Sequence, residues 1–441
     1  MPTPRLTKLT LALSLIAIVI PGPAAAGPAD AGHSTAYRSS PNMELVAHIP
    51  STRGTDLELF SKTLATYRDA DGNSVTPDEP VERHFVMLGN DTHGTKIFDV
   101  TIPEDPFVAS AIRDCTVGQG DIQVRHDANL AAIAWQTSAG MNRCQTEDGA
   151  VLRRGSILVD ISDVYDPKVV GGAPDASGAH NQTIHPSGDY LYISTSTGSP
   201  GRIPIYDITE PSEPRLVKVW SPPSGNSPHD IRFSDDGTRA YMAGNAQYRI
   251  VDTTDPENPT VITTFTPPGT TLGHDVLVTP DKAFLFLGDE AGGGSLFPCP
   301  GGAVYAYDIR NEAEPVLLGT AHAGGGPVTD RNLLEANAGR AGGCTSHVID
   351  LNPDKKSFTI GWYVLGTRTF DFSSLYNADG SPRPGNGLSW GSNQAGSGPV
   401  ETGYMIPEAG DTWSAKQYHK LPGYIFSGDR AIGFYITKIK S

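Results

Sequence analysis

The stretch His229–Phe265, HDIRFSDDGTRAYMAGNAQYRIVDTTDPENPTVITTF, decides the fold. Its β-forming residues fall into four short runs: His229 to Ser234, Ala240 to Gly244, Tyr248 to Thr253 and Thr260 to Phe265. The breaks between the runs are turn formers. Asp235-Asp236-Gly237 supplies the glycine a tight hairpin needs, and Asp255-Pro256 stops a strand because proline cannot donate to a ladder. The spacing predicts four antiparallel strands running from an inner edge outward, the composition of one propeller blade.

The third run ends in a phrase that recurs along the chain. It reads Ile97-Phe98-Asp99-Val100, Leu158-Val159-Asp160-Ile161, Ile205-Tyr206-Asp207-Ile208, Ile250-Val251-Asp252-Thr253, Tyr307-Asp308-Ile309 and Phe370-Asp371-Phe372. Its aspartates stand 45 to 63 residues apart. One four-stranded sheet cannot bury both of its faces, so a repeat of this length implies sheets stacked on each other. Inner strands are expected to begin near Asp56, Asp121, His180, His229, His274, His347 and Ala415, giving a seven-bladed β-propeller. The last unit runs out after three strands, and the apolar stretch Glu44 to Ile49 is left to complete it. The ring should therefore close by pairing the two ends of the chain, which removes its open edge.

Residues 42–441 thus read as a single propeller domain. Residues 1–26 read as a secretory signal, with Arg5 and Lys8 ahead of the apolar run Leu9 to Ile20 and then Ala24-Ala25-Ala26. Residues 27–41 read as a disordered lead-in. A soluble, exported, monomeric protein without a membrane span is expected. The formal charge of −16 repels phosphate backbones, so nucleic acid is not an expected partner. Four cysteines in an exported chain favour disulfides, and of the three connectivities the local one is preferred, Cys115 to Cys144 and Cys299 to Cys344. Insertions fall at residues 61–80, 136–154, 289–302, 321–343 and 373–400.

The repeat phrases resemble the LVIVD-repeat family of exported propellers over almost the whole mature chain. So does the closing phrase Asp411-Thr412-Trp413-Ser414-Ala415 followed by Gly423-Tyr424-Ile425-Phe426-Ser427-Gly428-Asp429. The resemblance implies a propeller outside the cytoplasm and names no activity.

Histidine recurs at one template position in four successive units: His180, His229, His274 and His347. Inner strands line the propeller axis, so these imidazoles are expected around one mouth, where they could hold copper or iron. Asp230 and Asp275 follow two of them directly, Asp121 and Asp56 stand at the equivalent place, and these carboxylates could orient the rings. The arrangement is similar in kind to the four-histidine iron centre of carotenoid cleavage oxygenases and to copper-dependent methanethiol oxidases. The competing reading makes the histidines repeated packing residues that satisfy loop backbone. His419 could join the ring, whereas His126 and His185 fall on hairpins that should face water. Asp69-Ala70-Asp71-Gly72-Asn73 has alternating oxygen ligands and hints at calcium, with a plain polar hairpin the simpler reading. Asp289-Glu290 is read as an acidic pair at a loop rim on a flexible hairpin. Two functions follow as expectations. One is a secreted binding module for an extracellular protein or glycan, with no stoichiometric metal; the alternative is a copper- or iron-dependent oxidoreductase built on the four histidines.

Overall fold

A computed structural model describes residues 36–440 except 51–52, 91–93, 113–114, 116–117, 119, 126–128, 137–143, 197–200, 224, 246, 292–301, 324–342 and 384–398. Seven sheets follow one another around a ring. Blade one contains β3 (Gly54–Leu64), β6 (Val81–Asn90), β7 (Thr95–Asp99) and β8 (Phe107–Ile112), with a small hairpin, β4 (Tyr67–Arg68) and β5 (Ser74–Val75), between its first two strands. Blade two is β9 (Ile122–Arg125), β10 (Leu130–Trp135), β11 (Gly155–Asp160) and β12 (Lys168–Pro174). Blade three is β13 (Asn181–Ile184), β14 (Tyr190–Ser194), β15 (Ile203–Asp207) and β16 (Arg215–Trp220).

The stretch that opened the reading forms blade four: β17 (Asp230–Phe233), β18 (Arg239–Gly244), β19 (Gln247–Asp252) and β20 (Thr260–Phe265). Blade five is β21 (Gly273–Val278), β22 (Phe284–Asp289), β23 (Ala303–Asp308) and β24 (Val316–Ala321). Blade six is β25 (Ile349–Leu351), β26 (Ser357–Gly361), β27 (Thr367–Asp371) and β28 (Val400–Pro407). Blade seven is β29 (Thr412–Tyr418), β30 (Leu421–Asp429) and β31 (Gly433–Ile439), completed by β2 (Met43–Pro50).

Closure is as the sequence implied, because β2 pairs antiparallel with β31 from Met43↔Ile439 to Pro50↔Gly433. The chain adds a second tie that was not foreseen. Tyr37–Ser39, inside the stretch read as a disordered lead-in, forms β1 and pairs with the outer strand β28. Residues 1–26 and 27–35, which carry the expected signal and the rest of the lead-in, lie outside the described residues.

The recurring phrase has a local cause. Asp99, Asp160, Asp207, Asp252, Asp308 and Asp371 each accept the backbone N–H two residues on, at 2.7 to 3.1 Å. This turns the chain as its third strand ends. Just before each aspartate the third and fourth strands shift register, for example between Ile250 and Val251. Such a bulge tightens the twist that fans the blades around the axis. Alternating apolar side chains fill the space between sheets. Phe286, Phe358, Phe370 and Phe372 join blades five and six, and Phe60, Phe85 and Trp135 join blades one and two. Burying each such side chain contributes roughly 1.5 to 3 kcal/mol.

Cys115 and Cys144 are bonded to each other, as the local pairing required. Cys344 is also disulfide-bonded, and its expected partner Cys299 lies outside the described residues. No helix of the described chain is long and apolar enough to cross a membrane.

Candidate metal centre

The four histidines meet. His180, His229, His274 and His347 come from adjoining blades, and consecutive ring centroids lie 4.2, 4.1 and 3.9 Å apart. All four are buried. The Nε2 atoms of His180 and His229 approach to 2.7 Å, so one donates and the other accepts. Among the described residues the Nδ1 atoms of His180 and His274 have no hydrogen-bond partner, an arrangement that costs free energy inside a protein.

Blade seven places Trp413 where its neighbours place histidine. Its ring lies 4.1 Å from His347, and its carbonyl accepts a hydrogen bond from His347 Nδ1 at 2.8 Å. That bond fixes the tautomer, leaving the Nε2 lone pair of His347 free to face inward. Gly361 permits the approach, since a Cβ there would lie 2.5 Å from the Trp413 carbonyl oxygen. His419, the other candidate for this place, is exposed at the end of the following hairpin.

A residue read as peripheral turns out to be central. Glu290 is buried rather than at a loop rim. Asp289 caps the bend after β22 by accepting the N–H groups of Leu272 at 2.9 Å and Ala291 at 3.1 Å, and Glu290 N–H donates to the Leu272 carbonyl at 2.9 Å. The Glu290 carboxylate is thereby turned back to the histidines. Its Oε2 stands 3.8 Å from His274 Nε2 and its Oε1 3.9 Å from His347 Nε2. Tyr363 donates its phenolic O–H to Oε1. Donor atoms of His229, His274 and Glu290 all lie within 4.8 Å of one another. A repeat-based reading could not find Glu290, because it sits in an insertion after β22 and outside the strand phrases that recur from blade to blade.

Burial sets the protonation states. It holds His180 down at about 4 and keeps His229 and His274 well below the ordinary imidazole value, with neighbouring imidazoles adding to the effect. His347 is lowered by burial against the opposing effect of its bond to Trp413. The rings are therefore neutral, the form that ligates metal. Burial pushes Glu290 up to about 7.

The aspartates next along the inner strands do different work from that expected. Asp121 accepts the Gln182 N–H at 2.8 Å, Asp275 the Ile349 N–H at 2.7 Å and Asp56 the Ile122 N–H at 3.4 Å, each across to the next blade. Asp230 accepts the N–H of Ile231 at 2.7 Å. Among the described residues none of these carboxylates bonds an imidazole; they staple inner strands together. Two cations sit among them, the half-buried Arg232 and the buried Lys416. Arg232 lies 3.3 Å from Asp275 and 3.5 Å from Asp350, and Lys416 lies 3.5 Å from Asp56 and 2.8 Å from Glu58.

Other expected sites resolve locally. His185 is itself buried, with Nε2 2.9 Å from the Gly237 carbonyl of the next blade, while Pro186 and Ser187 of its hairpin are exposed. His126 lies outside the described residues. Asp69 spends its carboxylate on the N–H groups of Asp71 and Asn73 and on the Asn73 amide, which closes the exposed polar hairpin that was the simpler reading of this stretch.

No family model matches the chain, so the likeness to LVIVD-repeat propellers rests on the repeat phrases. No curated protein matches it either. Among solved structures, the β-propeller domain of Cps50 (Swd1) from Myceliophteria thermophila is similar at 11% identity and a TM-score of 0.55, over 90% of this chain and 100% of that one. The periplasmic gluconolactonase PpgL of Pseudomonas aeruginosa is 12% identical, with a TM-score of 0.48, over 79% of this chain and 99% of that one. Identities this low speak to architecture alone, and the architecture is the seven-bladed β-propeller.

Proposed function

We propose that the protein is a metal-dependent oxidoreductase whose ion sits at the propeller axis, held by His229, His274 and Glu290 with His180 and His347 alongside. The observation that carries this reading is the convergence of those three donor sets within 4.8 Å in a buried site. Two imidazoles and one carboxylate with further positions beside them suit iron(II), and an imidazole-rich set also accepts copper. A buried group of neutral histidines with unpartnered ring nitrogens is a poor packing solution and a good ligand set. A bound ion would supply Lewis acidity and one-electron chemistry, while the protein supplies a dry, oriented pocket. The Arg5 and Lys8 leader and the Cys115–Cys144 disulfide support an exported location, where disulfides persist.

The test is metal content. The exported form, purified without chelator or affinity tag, should carry about one iron or copper per chain by plasma mass spectrometry. A protein that is empty and also refuses added iron(II) and copper would sink this reading. It would return the histidines to a packing role and favour a binding module acting through its loops.

A further inference from the structure

We infer that Tyr363 is a positioning residue for this centre: its phenol fixes the Glu290 carboxylate as a ligand presenting Oε2 to the ion. The inference rests on the metal-centre reading.

Tyr363 is buried, yet its backbone is left-handed, with φ of 42°. A bulky L-residue adopts that region only when its surroundings impose it. Here they do so from both sides. Tyr363 N–H donates to the Thr412 carbonyl at 2.9 Å, and its own carbonyl accepts the N–H groups of Thr412 and Gly366, each at 2.9 Å. The ring is packed against His347 at 4.7 Å and Trp413 at 5.9 Å. A phenylalanine would fill the same apolar space, so packing alone does not call for the hydroxyl. The hydroxyl makes the one hydrogen bond that Glu290 accepts among the described residues.

The carboxylate is constrained from its other end as well. Ala291, the next residue, is also left-handed, with φ of 30°. Two strained positions on different blades therefore converge on a single carboxylate. Engaging Oε1 leaves Oε2, which is 3.8 Å from His274 Nε2, and Glu290 shares its donor group with His229 and His274. A hydrogen bond to the distal oxygen of a ligating carboxylate selects its rotamer and single-oxygen binding, the usual service of groups just outside a metal's ligands.

The experiment titrates cobalt(II) into the chelator-stripped full chain and records its visible d–d absorption in wild type, Tyr363→Phe, Glu290→Gln and the double variant. Tyr363→Phe should bind cobalt about ten- to a hundred-fold more weakly, with a changed band shape. Adding it to Glu290→Gln should cost nothing further, because the tyrosine acts through that carboxylate. An unchanged affinity and spectrum would overturn the inference, as would an equal loss in both backgrounds, which would make Tyr363 a packing residue. Failure of the wild type to bind cobalt, iron(II) or copper would instead remove the metal-centre reading itself, and this assignment with it.

Discussion

Two layers of the same inner strands treat buried polarity in opposite ways. The histidine layer collects neutral groups whose ring nitrogens are partly unpartnered. One to three residues further along, Asp56, Glu58, Asp121, Asp230, Asp275 and Asp350 gather around Arg232 and Lys416. There, carboxylates accept backbone N–H groups across blade boundaries or pair with the cations. The acidic layer is thus tied into the closure of the ring, while the histidine layer is held by it and left with donor capacity to spare. Stability should reside in one layer and ligand binding in the other.

The largest expected effect breaks the acidic layer. Lys416 stands on β29 in the last blade and pairs with Asp56 and Glu58 of the first, so it spans the seam where the ring closes. Lys416→Met leaves two carboxylates without their cation and should cost about 3 to 5 kcal/mol, read as a lower urea midpoint of the metal-free protein. A loss below about 1 kcal/mol would mean that the seam is held by β2 alone. In contrast, His229→Ala should lower metal affinity on the order of 100-fold or more while the variant still unfolds cooperatively. Equilibrium dialysis against iron(II) or copper reads that loss; retained loading would remove His229 from the ligand set.

Legibility in the sequence follows the same division. The acidic turns and inner-strand residues repeat with the blade, because every blade meets the same geometric demand at its third-strand end and at its inner edge. Asp252 and Asp99 announce the fold for that reason. The histidines were visible as a repeat, but their partners were not. Glu290 lies in an insertion outside the recurring strand phrases and reaches the axis through the bend capped by Asp289. Trp413 interrupts the histidine series with a different residue at the same place, and its phrase could be quoted without revealing which ring it would touch. His185 stands on a turn whose Pro186 and Ser187 face water, but its own imidazole is covered by Gly237 of the neighbouring blade, which no single hairpin reveals. Tyr37–Ser39 is too short for periodicity to register, and only its partner β28 makes it a strand.

A pH series on metal-free protein sharpens the comparison, since the two layers should respond with opposite sign. The buried histidines bind protons less readily folded than unfolded. Their contribution is complete above the ordinary value of about 6.5 and is lost as pH falls toward the folded value, about 4 for His180. For the acidic layer burial acts the other way, raising Asp350 to about 6 and Asp121 and Asp230 well above the ordinary range. Those groups stabilise the protonated folded state at low pH, and that contribution is lost as pH rises through their folded values. Each layer opposes the other between pH 4 and 6.5. Asp121→Asn should therefore make the stability loss on acidification steeper than in wild type, and His274→Gln should make it shallower. Each shift is at most about 1.4 kcal/mol per pH unit for a single group. Urea midpoints at pH 6.5, 5.5 and 4.5 would show this; parallel slopes in both variants would mean that the layers share one charge state.

The smallest effect belongs to neither layer and calibrates both. Asp252 sits half-exposed at the outer end of β19, where its carboxylate accepts the Thr254 N–H at 2.9 Å and lies 3.4 Å from Arg239. Six blades copy this device with different additional partners, the buried Asp99 also pairing with Arg83, but at Asp252 it is a hydrogen bond near water, and Asp252→Ala should cost only about 1 kcal/mol. Differential denaturation of that variant separates frequency from energy. A loss near 1 kcal/mol would show that the residue most legible in the sequence contributes least individually, its recurrence reflecting a shared bend rather than a shared burden. A loss as large as that of Lys416→Met would place the stability of the ring in its repeated outer turns, and the contrast between the two axial layers would then describe chemistry without describing what holds the blades together.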